Sequence, residues 1–278
     1  MHPIEHLRYV ARAEGADPVT LAAEAAHALG AFDGDPAGLV AAARRLVARH
    51  PAVGPLWWMC SRVLVAADPG AEGSRAAREL EDDPTSGVLA AALPDEARVL
   101  IVGWPSTIVP ALASRGDVEV LAADDGTGVD VGRLLGRVDV AVLDVTTEGV
   151  GAAAAVADVV LIEAGAMGPD AALARPGSHA AAAVARAAGR TVWLVAPAGT
   201  VLPSPVYAAA EAATLDDDEP WESGLDRVPL ALVDRVVGPD GPVDPAAAAA
   251  AHGCPVAPEL LRAARTPGSH DRGSGGVR

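Results

Sequence analysis

The chain has 278 residues, with 37 acidic side chains against 21 basic ones and a formal net charge of −16 at neutral pH. Such an excess argues against general binding to nucleic acid or anionic membranes, because a polyanion is repelled unless a local arginine cluster overrides the field. The sequence contains no lysine, asparagine or glutamine, which excludes a Schiff-base lysine, a phosphate-loop lysine and any side-chain amide as an oxyanion donor.

Residues 1 to about 92 read as helices. Ile4, Leu7 and Val10 keep helical spacing, and Asp17-Pro18, Asp35-Pro36 and Asp68-Pro69 each place a capping carboxylate before a proline at the first helical position. The N-terminus, with Glu5, His6 and Arg8, has no signal-peptide core, and no uncharged apolar run is long enough to cross a bilayer. A soluble, cytoplasmic protein is expected. Leu56 to Leu64 is more apolar than one helix face requires, so this helix is expected between the bundle and its neighbour or at a subunit interface. Trp57 and Trp58 are read there as packing residues, and Cys60 as core. With only Cys254 besides, no disulfide framework or zinc site is expected. Residues 81–87, EDDPTSG, read as a linker.

From Arg98 the pattern changes to short apolar runs alternating with helical segments. Val99 to Val102, Val118 to Leu121, Val138 to Leu143, Val159 to Ile162 and Val192 to Ala196 are the strand candidates. That rhythm predicts a parallel sheet covered by helices. The fold class is therefore α/β, a helical bundle (1–92) followed by a Rossmann-like domain (97–262), with residues 266–278 expected as a disordered tail. Pro203 to Val206 and Leu230 to Val237 are read as peripheral elements. The acidic run Asp216 to Glu219 is read as a solvated loop rather than a metal site.

The densest information lies in residues 158–202. A strand over Val159 to Ile162 opens into a loop, Pro176 and Gly177 break the chain, Ser178 is read as the cap of the next helix, and Gly189 suits its C-terminus. In an open α/β sheet the ligand crevice lies outside the carboxyl ends of the strands, so Glu163 to Met167 and Arg175 to His179 are expected to face it. Arg175, Gly177, Ser178 and His179 form an anion-friendly helix start, read equally as ligand contact or as structure. Ser106 and Thr107 are a second anion contact or simple caps, with their helix starting near them because Pro110 is comfortable only in a first turn. Glu163, entering the crevice from a buried strand, is the best acid/base candidate.

Three segments carry a resemblance: residues 99–112 (VLIVGWPSTIVPAL), residues 158–197 and residues 227–245 (RVPLALVDRVVGPDGPVDP). In order and spacing they resemble the family of the eukaryotic initiation factor 2B alpha, beta and delta subunits. That family also contains isomerases of ribose 1,5-bisphosphate and methylthioribose 1-phosphate. The resemblance implies a helical part followed by a Rossmann-like part, and a homodimer, for which Leu230 to Val237 offers an apolar segment. It also implies that Trp104 stands on or near the position of the isomerases' cysteine and Gly165 on that of their aspartate, and that Ala123-Asp124-Asp125-Gly126 replaces an arginine-bearing segment. Neither an indole nor a glycine relays a proton. The expected function is an initiation factor 2B-like protein that binds a small phosphorylated metabolite or nucleotide without isomerase activity, needing no cofactor. The alternatives are a sugar-phosphate isomerase or hydrolase with altered catalytic residues, Glu163 and His179, and a ligand-free assembly subunit.

Overall fold

The computed structural model describes residues 18–30, 32, 34–124, 135–136, 140–216 and 218–261. Four helices open it: α1 (Pro18–Leu29), α2 (Pro36–Arg49), α3 (Gly54–Val65) and α4 (Pro69–Glu81). Asp35 and Asp68 cap α2 and α4 as their sequences require, accepting from Gly38 N and Ala71 N at 2.9 Å. The Asp17 cap, with Ile4, Leu7 and Val10, lies outside the described residues.

Helix α3 is buried on nearly every side from Gly54 to Ser61. Its excess apolarity is explained by position: the bundle's core cluster continues through Leu56, Trp57 and Met59 to Ala166, Leu173 and Tyr207 of the second part of the chain. Trp57 is a packing residue whose indole N–H finds Pro51 O at 2.8 Å, and Trp58 lies 4.3 Å beneath the Arg62 guanidinium. The expected linker at 81–87 shrinks to a tied turn over residues 82–84, because the helices on either side run to Glu81 and from Thr85. Asp83 accepts from Thr85 N, from Thr85 Oγ1 at 2.6 Å and from Ala198 N, and Thr85 already opens α5 (Thr85–Ala92), which packs on the sheet side of the molecule.

The sheet runs in the order β3 (Ala141–Val145), β2 (Glu119–Ala123), β1 (Arg98–Val102), β4 (Val159–Met167), β6 (Thr191–Val195), β8 (Arg235–Gly238) and β9 (Gly241–Val243). All neighbours are parallel except β8 and β9. Both faces are covered, as a parallel sheet demands. Alternate residues such as Leu100 and Val160 pack against α7 (Val150–Val156) and α8 (Ser178–Ala187), while Val99 and Leu161 pack against α5 and α6 (Ile108–Ala113). The chain order reverses between β1 and β4, which makes their carboxyl ends the topological switch point.

Several sequence expectations need correction. Glu163 to Met167 is not a loop. Strand β4 continues to Met167, leaves the parallel sheet with a register shift between Ala164 and Ala166, and pairs antiparallel with β5 (Ala171–Ala174), which pairs in turn with β7 (Asp226–Pro229). The pairing residues are mostly alanines, which carry no strand signature. Leu230 to Val237 is not peripheral either. It includes most of β8, an internal strand beside β6, so Val236 and Val237 are buried within the chain itself. Pro203 leads into α9 (Ser204–Ala212). The expected tail lies outside the described residues.

Candidate functional site

Two sequence-distant elements meet at the switch point. After β1, Gly103 adopts a positive φ of 62° and donates to Ala123 O at 2.8 Å, turning the chain across the strand ends. Trp104, Pro105, Ser106 and Thr107 follow, and α6 begins with Thr107 as its cap residue but with no side-chain cap of its own. The missing acceptor comes from β4. Glu163 Oε1 accepts from Ser106 N and Ser106 Oγ, both at 3.1 Å, and Oε2 accepts from Thr107 N at 2.7 Å and Ile108 N at 3.2 Å. The orphan amides of a helix start are thus satisfied by a carboxylate 56 residues away in sequence.

Glu163 is pulled two ways. Burial pushes its carboxyl up from the ordinary glutamate value, and this is the larger influence. The Thr107 and Ile108 amides, the Ser106 contact and the nearby Arg175 charge act against it. Arg175, just beyond β5, donates from Nη2 to Trp104 O at 2.6 Å, so it also fastens the β1 loop. A cavity of about 230 Å3 lies here, lined by Ser106, Thr107, Glu163 and Arg175 and walled by apolar side chains such as Val53 and Leu173.

The remaining candidates sit apart. Gly177, at φ 92°, is the cap residue of α8; Ser178 is 2% exposed and makes no side-chain cap. The reading of Ser178 as the cap is therefore corrected. The acceptor at this tip is Asp226 of β7, whose Oδ2 takes His179 N at 2.9 Å. His179 is exposed, and none of Gly177, Ser178 and His179 lines the cavity. Sequence reading missed Asp226 because its role depends on β7 pairing with β5 through Ala174–Asp226.

The space beside Glu163 is also closed from the bundle. A Cβ on Gly165 would stand 2.8 Å from Ala52 O, and one on Gly54 would stand 2.7 Å from Gly165 O. The approach of α3 to β4 therefore requires glycine at both positions. Cys60 is buried in the bundle core, where burial pushes its thiol far up, and Cys254 is pushed up to about 11 by burial. Neither lines the crevice. Among the described residues no group of three or more His, Cys, Asp or Glu is placed to hold a metal ion, and no helix is long and apolar enough to cross a membrane.

This overall fold, a helical bundle packed against a mostly parallel sheet, is shared with solved initiation factor 2B subunits and a sugar-phosphate isomerase. The resemblance read from the sequence holds at the level of the fold. The chain is similar to translation initiation factor eIF-2B of Pyrococcus horikoshii OT3, with TM-score 0.71 and 14% identity over 87% of this chain and 97% of the other. It is similar to eIF2B beta from Chaetomium thermophilum, with TM-score 0.68 and 14% identity over 89% of each chain. The 5-methylthioribose 1-phosphate isomerase of P. horikoshii aligns with TM-score 0.60 and 15% identity over 88% of this chain and 85% of the enzyme. No protein-family model and no curated protein matches the sequence.

Proposed function

We propose that this chain is a catalytically silent, initiation factor 2B-like protein that acts in the cytoplasm as an assembly subunit, with its switch-point crevice closed by its own side chains. The observation that carries this reading is the Glu163 carboxyl group, which takes the three backbone amides of Ser106 to Ile108 and the Ser106 hydroxyl as its four hydrogen-bond donors. A second anion arriving there finds those donors already taken. Trp104 and Gly165 supply no proton-relaying group, and among the described residues no histidine lines the crevice beside Glu163, His179 standing exposed on another helix tip. One of the solved relatives is a tetrameric eIF2B-beta2-delta2 complex, which supports an assembling role, with a homodimer as the simplest form for a single chain. Light scattering coupled to size exclusion tests this: a dimer is expected, and a clean monomer at micromolar concentration counts against it.

A second reading, a protein that binds a small phosphorylated metabolite or nucleotide, is favoured by Arg175 on the wall of the 230 Å3 cavity. In that case Glu163 has to yield the amides or share the ligand with Arg175. A thermal-shift series with inorganic phosphate, ribose 5-phosphate and AMP separates the two. No stabilisation is expected for the closed crevice. A shift that disappears in Arg175→Ala establishes the ligand-binding protein instead.

A further inference from the structure

The loop between α9 and β7 is built with unusual care for a surface connection. Asp216 Oδ1 accepts from Asp218 N at 2.9 Å and Glu219 N at 3.1 Å, while Asp216 N donates to Ser223 Oγ at 2.9 Å and closes the loop on itself. A short 3-10 turn, Pro220–Glu222, is held at its crown by Glu222 N donating to Glu219 O at 2.9 Å. At that crown stands Trp221, 74% exposed and the most exposed large hydrophobic side chain among the described residues. The indole is thus presented by a fastened turn, which lowers the ordering entropy lost when something binds it.

The surroundings define the occupant. Asp216, Asp218, Glu219 and Glu222 are all exposed, and residues 212–226 contain no arginine. Arg227, the next basic residue, is engaged by Glu211 at 2.8 Å and Asp170 at 2.7 Å. A second copy of a chain carrying −16 charges, or a nucleic acid, is repelled here. An exposed tryptophan is the residue type most enriched at binding hot spots, and a guanidinium stacks on an indole face while forking onto carboxylates, which an ammonium cannot match. We propose that Trp221 and its acidic rim form a docking surface for an arginine-bearing segment of a partner protein.

This surface is independent of whether the crevice is closed or binds a ligand. The test is isothermal titration of the intact protein at low ionic strength with short oligoarginine and oligolysine peptides. The wild type is expected to prefer oligoarginine by about two- to fivefold, the scale of an exposed cation–π contact. Trp221→Ala should abolish that preference while leaving oligolysine binding and the melting temperature unchanged, and Glu222→Arg should weaken both peptides. Equal affinity of wild type and Trp221→Ala for oligoarginine, or equal affinity of the wild type for the two peptides, overturns the proposal.

Discussion

Glu163 Oε2 lies 2.7 Å from Thr107 N, and through that contact strand β4 supplies the cap that α6 lacks. The bond joins β4 to the segment that leaves β1, across the point where the sheet order reverses, so one side chain both caps a helix start and ties the two halves of the sheet.

Removing it should loosen both. Glu163→Ala is expected to destabilise the protein by about 1–3 kcal/mol, the range for losing a cap and leaving buried amides unpaired. Glu163→Gln should not rescue it, because a carboxamide N–H2 cannot accept from the Thr107 or Ile108 amides. Urea unfolding followed by circular dichroism measures both; wild-type stability in either variant would contradict the capping role.

The same residue sets a pH dependence with a definite sign. Its folded value is raised by burial, so the native state holds this proton more tightly than the unfolded chain. The associated stability is present below the ordinary glutamate range and is lost as pH rises through the raised folded value. Urea midpoints should therefore fall with rising pH more steeply in wild type than in Glu163→Ala. A difference of the opposite sign would mean that the amides and Arg175 outweigh burial.

Gly165 should tolerate no side chain. Its added Cβ would come within 2.8 Å of Ala52 O, a backbone atom of the turn that leads into α3. Gly165→Ala is expected to lose about 1–3 kcal/mol by overpacking. Gly165→Asp should lose more and acquire no isomerase activity towards methylthioribose 1-phosphate, read by direct product assay.

The tip of α8 offers a parallel case. Asp226→Ala removes the acceptor for His179 N and should lower stability by about 0.5–2 kcal/mol, whereas Ser178→Ala, at a position without a side-chain cap, should not show a capping loss. Comparing the two melting curves decides which residue holds the helix start.

How much of this was legible beforehand depends on the range of the interaction. Asp35, Asp68 and the β-branched runs at Val99 and Val159 act on neighbours a few residues away, so their helices and strands could be read directly. The hairpin strand Ala171–Ala174 could not, since alanine declares no pairing and its partners lie in β4 and β7.

By itself the sequence determined the class of fold, the two-part organisation and the residues bordering the strand ends, because periodicity, capping and glycine placement are local properties. Only the tertiary structure decided what those residues do. Whether Glu163 faces a ligand or an amide cluster, and whether Ser178 or Asp226 serves α8, depends on contacts between segments some 50 residues apart. Such contacts follow from strand order and register, and the strand order placed a carboxylate against a helix tip that the sequence leaves open as an anion contact or a simple cap.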